Sequence, residues 1–330
     1  MWDFIKPISL IRYLIVWRVN ATLVQLPRYL PFSLSYVLGT LIAERLPLAQ
    51  KREWRPCLEA LAEITLSEGL PSKMPADVAW PLTSVIFAYP NKRAFGQGEV
   101  ILWELKLIGD SADHCQFLEL ILPAMEQAAT MTDAPWYYRN GVWGHFDVEA
   151  IYASRGARWE PFVSAGKLNL DYHPTPQQWA DGLTFAFNSE HSFRRLTWIT
   201  PFELAATEQG VGLTARHSRN AVPLWSDLVG ALLDRMTLFL PGKRNTSVDW
   251  WLALPPAEQT RLRDALEQAE TATLQRHTLE APPRGLPGRW IGTQVFSTIP
   301  ASLLPYLELA AILHLGKNTH LGCGTFRLDF

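Results

Sequence analysis

Near the end of the chain, nine consecutive residues gather three glycines, one lysine and two small polar side chains: Gly316-Lys317-Asn318-Thr319-His320-Leu321-Gly322-Cys323-Gly324. Glycine lets main-chain N–H groups approach phosphate oxygens, and lysine adds a point charge. The stretch therefore suits a loop that closes over a phosphate backbone. Its spacing is not that of a nucleotide P-loop, which ends in Gly-Lys-Ser/Thr and opens a helix instead of a strand. On the residues alone, a helix C-cap at Gly316 followed by a glycine-rich hairpin is an equal reading.

Other residues could carry chemistry. His145, Asp147 and Glu149 alternate along one strand face and suggest a metal, but a solvated strand face accounts for them better. His173, His191 and His217 lie in polar stretches and read as surface groups, whereas His314 sits in an apolar helix and reads as core. Arg194 and Arg195, then Arg216 and Arg219 around His217, form basic patches that could straddle an RNA stem through its phosphates. Trp250-Trp251 and Trp136-Tyr137-Tyr138 could stack bases, although most of the 14 Trp should be core.

The elements that must hold these groups follow from periodicity. Trp17 to Gln25 reads as a strand, and Pro27 and Pro31 break the chain after it. Phe32 to Leu46 and Glu53 to Ser67 read as helices. Val100 to Ile108 is a strand. His114 to Ala129 is a helix with Phe117, Leu118, Ile121, Met125 and Ala129 on one stripe, and Gly144 to Tyr152 is an alternating strand. The second half repeats the order: a strand at Arg195 to Leu204 broken at Pro201, helices at Leu224 to Leu240 and Pro255 to Gln275, a strand at Trp290 to Thr298, a helix to about Leu315, and a last strand at Thr325 to Phe330. This order is βαββαβ twice. It predicts an α+β fold of two tandem ferredoxin-like domains, 1–155 and 156–330, with the glycine-rich loop before the last strand.

Composition bounds the partners. The net charge is −2, which argues against nucleic acid and supports a protein-interaction module as one alternative. Positive charge does gather at the ends, however: residues 1–56 hold 8 Lys+Arg against 3 Asp+Glu. Cys57, Cys115 and Cys323 form neither a disulfide framework nor a zinc spacing, which fits a reducing cytoplasm. No apolar run is long and clean enough to span a bilayer, so no membrane association is expected.

Residues 316–330 resemble the end of the CRISPR-associated repeat-processing endoribonucleases of the RAMP superfamily: Gly-Lys-x-Thr-x-x-Gly-x-Gly, then an alternating strand. Leu196-Thr-Trp-Ile-Thr-Pro-Phe-Glu-Leu204, with the helix bearing Leu232, Leu233 and Arg235, is similar to the opening of the family's C-terminal domain. Leu105-Lys-Leu-Ile-Gly109 and Leu26-Pro27 resemble junctions of its N-terminal domain. The resemblance implies binding of CRISPR repeat RNA through Gly316, Lys317, Asn318, Thr319, Gly322 and Gly324. It also implies cleavage of precursor CRISPR RNA without metal or cofactor: the 2′-hydroxyl attacks the adjacent phosphate, and the enzyme stays with its product. Other subunits of a CRISPR effector complex are implied partners. Family members often use a histidine near the first helix, and this chain has none before His114. In their place stand Arg28 and Arg45 for charge stabilisation, and Tyr36 and His320 for proton transfer. A catalytically inactive RNA-binding subunit is the alternative.

Overall fold

The computed structural model describes residues 2–66, 78–89, 92–131, 141–183, 194–204, 222–239 and 246–329. The chain divides into two compact units, one of Ser9–Asp181 with Arg284–Leu286, the other of Met1–Ile8, Gly182–Pro283 and Pro287–Phe330.

The unit that begins at Ser9 is built on β1 (Leu10–Val19), whose side chains alternate. Tyr13, Ile15 and Trp17 are fully buried. Arg12 and Arg18 face the other way and are held by carboxylates, Arg12 Nε donating to Glu104 at 2.6 Å and Arg18 Nη2 to Glu149 at 2.8 Å. Those two arginines interrupt the apolar pattern, which is why the sequence placed the strand at 17–25. In fact β1 ends at Val19, and a turn leads to the short β2 (Leu23–Gln25). Two helices follow, α1 (Leu30–Arg45) and α2 (Leu48–Leu66). Next come β3 (Ser84–Ala88), β4 (Ala94–Gly96) and β5 (Val100–Ile108). A continuous helical stretch is made of α3 (His114–Gln116), a π-helical turn at Phe117–Ile121 and α4 (Leu122–Thr130). On it Phe117, Ile121, Ala124, Met125 and Ala128 are fully buried, whereas Leu118 and Ala129 of the expected stripe are only half-buried. The unit closes with β6 (Phe146–Arg155), β7 (Arg158–Ser164) and β8 (Lys167–Leu168).

Its six-stranded sheet has the order β3-β5-β1-β6-β7-β8, with neighbours antiparallel, while β2 pairs with β4. β5 lies between β1 and β3, and β1 between β5 and β6. Each helical crossover thus skips one strand, the split βαβ arrangement of a ferredoxin-like unit. Aromatic stacking seals the helix side: Tyr13 lies 3.9 Å from Phe117 and Trp17 3.9 Å from Phe146, centroid to centroid. Each such burial stabilises by roughly 1.5–3 kcal/mol. The compact unit runs to Asp181, past the residue-155 boundary, because β7 and β8 extend the same sheet.

The other unit repeats the plan: β9 (Arg195–Trp198), α5 (Trp225–Met236), α6 (Ser247–Ala253), α7 (Pro256–Thr271), β10 (Leu274–His277), β11 (Thr293–Phe296), α8 (Leu304–Leu313) and β12 (Phe326–Asp329). The sheet order β10-β11-β9-β12 is the same permutation as in the first unit. Both halves are therefore ferredoxin-like and the fold is α+β, as expected. Gln294 is fully buried and satisfied, Nε2 donating to Pro223 O at 2.7 Å while Oε1 accepts from Trp198 Nε1 at 2.9 Å. Phe4 packs edge-on against Trp250 and Tyr306, which brings the start of the chain into this unit. Among the described residues no helix is long and apolar enough to cross a membrane.

Candidate nucleic-acid interface

The glycine-rich stretch lies where the sequence placed it, between α8 and β12. His314 ends the helix at φ +63, fully buried, with Nδ1 3.1 Å from Cys323 O. Gly316, Asn318, Gly322 and Gly324 all have positive φ, from +57 to +85. At two of these positions glycine is also needed for space: a Cβ on Gly324 would fall onto Leu315 O, and one on Gly316 onto Glu203 O.

The loop packs against the Pro201–Leu204 stretch of the same unit. Gly324 N–H donates to Pro201 O at 3.0 Å and Lys317 N–H to Glu203 O at 2.8 Å. The Lys317 ammonium, more than half exposed, bonds Glu203 Oε1 at 2.5 Å. Thr325 fastens the exit, its N–H donating to Thr200 Oγ1 and its hydroxyl to Ala311 O. The structure thus joins the two stretches that carried the resemblance, 196–204 and 316–324. The glycines serve close backbone packing at least as much as an open cradle, and Lys317 shares its charge with a carboxylate.

Arg235 on α5 was named in the sequence only as part of a helix motif. Burial pulls its pKa down to about 10, and its Nε donates to Leu313 O at 3.2 Å. Among the described residues no carboxylate pairs with it. Burial, and then the positive charge of Arg235, hold His320 down to about 4, so its imidazole is neutral at pH 7. His320 Nε2 is enclosed and makes no hydrogen bond within the described structure. A buried cation beside a glycine-rich loop suits an anionic oxygen.

The remaining expected site residues are dispersed. Arg28 precedes α1 and its Nη1 donates to Arg284 O at 2.8 Å. Tyr36 sits half-buried on α1. Arg45 ends α1, its Nη2 donating to Gln127 Oε1 at 2.9 Å. Fifteen helical steps separate Leu30 from Arg45, about 22 Å, so Arg28 and Arg45 cannot both touch one phosphate. Arg194 is exposed, its main chain in the sheet, and Arg195 lies on the outward face of β9. Arg216, Arg219, His191, His217 and Trp136-Tyr137-Tyr138 lie outside the described residues. Among the described residues no group of three or more His, Cys, Asp or Glu could hold a metal ion, His145, Asp147 and Glu149 included.

Solved structures match this architecture. A chain of a partial Cas6-RT-Cas1–Cas2 complex is matched over 98% of the present chain, at 13% identity and a TM-score of 0.50. The fold is Cas6-like. A chain of the Cas6-RT-Cas1–Cas2 complex is matched over the same 98% with the same score. The present chain spans 46% and 29% of those two chains, less than half of either. A Cas6 product complex is covered along its whole length by 97% of this chain, at 16% identity and a TM-score of 0.45. No family model and no curated protein matches the sequence.

Proposed function

We propose that this Cas6-like chain binds CRISPR repeat RNA, cleaves precursor CRISPR RNA by metal-independent attack of the 2′-hydroxyl, and stays bound to the product. The observation that carries the reading is the glycine-rich loop set before the last strand of the second ferredoxin-like unit, with the buried Arg235, which pairs with no carboxylate among the described residues, beside His320. Phosphate binding needs a fixed positive charge, which Arg235 and the exposed Lys317 ammonium would supply. Two chains matched at a TM-score of 0.50 belong to structures named as Cas6-RT-Cas1–Cas2 complexes, which supports CRISPR proteins as partners.

A second reading has its own support. Arg28 and Arg45 lie at opposite ends of α1, and no histidine stands on that helix. A subunit that grips the repeat without cutting it fits those facts. Incubation of the purified chain with its repeat RNA in EDTA, resolved on a denaturing gel, separates the two. Cleavage to a 2′,3′-cyclic phosphate and a 5′-hydroxyl supports the nuclease. Intact RNA that is nonetheless bound supports the subunit, and activity that requires added magnesium overturns the proposed mechanism.

A further inference from the structure

The four-stranded sheet has one apolar face and one polar face. Along β9 and β11, Leu196, Trp198, Gln294 and Phe296 are buried, so Arg195, Thr197, Thr293 and Val295 point outward. The register then sets a row across the sheet. Val295 pairs with Arg276 on one side and with Arg195 on the other. In the adjoining row Thr293 pairs with Thr197, and its hydroxyl lies 2.8 Å from that of Thr278.

These side chains line a depression of about 190 Å³ formed by Arg195, Arg276, His277, Thr278, Thr293 and Val295. Among the described residues its lining has two guanidinium groups and no carboxylate. Asp329 pairs with Arg195 on the same outward face, at the edge of the depression, and its carboxylate is taken up by Arg327, whose Nε lies 3.0 Å from Oδ1, and by the Thr197 hydroxyl, which donates to Oδ2 at 2.5 Å. His277 Nδ1 accepts the Leu279 N–H at 3.3 Å, which leaves Nε2 as the ring's donor. Arg195 and Arg276 flank one strand and so stand about 10 Å apart, a span that neighbouring phosphates of one RNA strand can bridge. The glycine-rich loop precedes Phe326, at the other end of β12, so the depression is a separate place in the same unit.

We infer that this groove is a second RNA contact, one that holds the sugar–phosphate backbone irrespective of base sequence; the inference rests on the RNA-binding reading above. Arg195 and Arg276 neutralise phosphates, while His277 Nε2 and the threonine hydroxyls donate to phosphate or 2′-hydroxyl oxygens. Among the described residues no aromatic ring lines the groove to stack a base, and no amide or carboxylate side chain lines it to read a base edge.

The test uses the full chain, its repeat RNA and a scrambled RNA of equal length, titrated between about 50 and 200 mM salt. Arg195→Ala and Arg276→Ala should each weaken both RNAs by the same factor. Each should also reduce the salt slope by about 0.7 to 1. Arg276→Lys keeps the charge and should keep the parental slope, which separates lost charge from lost folding. Parental affinity and slope in both alanine variants, while Lys317→Ala binds more weakly, would overturn the groove alone. A loss confined to the repeat RNA would contradict backbone recognition. A parent that binds neither RNA would overturn both this inference and the reading beneath it.

Discussion

The Lys317 ammonium bonds the Glu203 carboxylate at 2.5 Å while the Lys317 N–H donates to the Glu203 carbonyl at 2.8 Å, so one residue grips both ends of the other. Side chain and main chain answer to different needs. The main-chain bond shapes the loop, and the side-chain pair competes with any phosphate for the lysine. Glu203→Gln should therefore tighten repeat RNA binding by about two- to fivefold, since an exposed ion pair is worth under about 1 kcal/mol. Lys317→Ala should weaken binding and flatten its salt dependence. Equilibrium titration of both variants checks this, and an affinity lowered by Glu203→Gln would show that the pair orders the loop and does not restrain it.

Gly324 and Gly109 share a positive φ, +81 and +61, but differ in surroundings: a Cβ on Gly324 meets Leu315 main chain, and one on Gly109 meets open space. Gly109→Ala should cost about 1–2 kcal/mol, the penalty of the conformation alone. Gly324→Ala should cost about 3 kcal/mol or more, because main chain cannot move aside as a side-chain tip can. Urea denaturation followed by tryptophan fluorescence would show the ranking, and equal midpoints for the two variants would contradict it.

Two histidines set a pH window. Burial, with His173 nearby, holds His114 down to about 4, and burial with Arg235 does the same for His320. Both folded values lie below the ordinary histidine value of about 6.5. Between those limits the unfolded chain takes up protons that the folded chain refuses, so stability falls as pH drops from about 6.5 toward 4. Above about 6.5 these groups contribute no slope. His320→Asn should flatten part of the decline, as measured by denaturation midpoints at pH 7, 6 and 5. NMR titration showing His320 protonated at pH 6 would refute the assignment.

The length of α1 limits the active-site set. With about 22 Å between its ends, Arg28→Ala and Arg45→Ala cannot both remove a donor from one scissile phosphate. In single-turnover cleavage at saturating enzyme, one of them at most should lose on the order of a hundredfold in rate. The other should remain near the parental rate. Hundredfold losses in both would mean that the two arginines act on separate phosphates or that α1 rearranges on RNA.

What was legible in the sequence followed burial. The second unit's glycine-rich loop, α5 and the α8–β12 turn announce themselves through glycines, a 3.6-residue stripe and a breaker. The register of β1 did not, because Arg12 and Arg18 lie on its outward face among apolar residues, and the partners that make that placement tenable, Glu104 and Glu149 among them, are far away in sequence. β10 was absorbed into the end of the preceding helix, since Leu274–His277 is an edge strand with one apolar residue. Losing β10 hid Arg276 and His277, whose meaning depends on Arg195 two strands away. Arg235 was visible as a residue, but not as a buried cation. The order of elements was legible because each half must bury a helix pair on one sheet face, which repeats the same pattern of periods twice.

The most direct test of the account is a titration of the purified full chain, in EDTA, with its own repeat RNA and with a scrambled RNA of the same length. Saturable binding that prefers the repeat, weakened by Lys317→Ala, is the result expected. Equal and weak binding of both RNAs, unaffected by Lys317→Ala, would contradict the claim that this Cas6-like fold grips CRISPR repeat RNA through its glycine-rich loop.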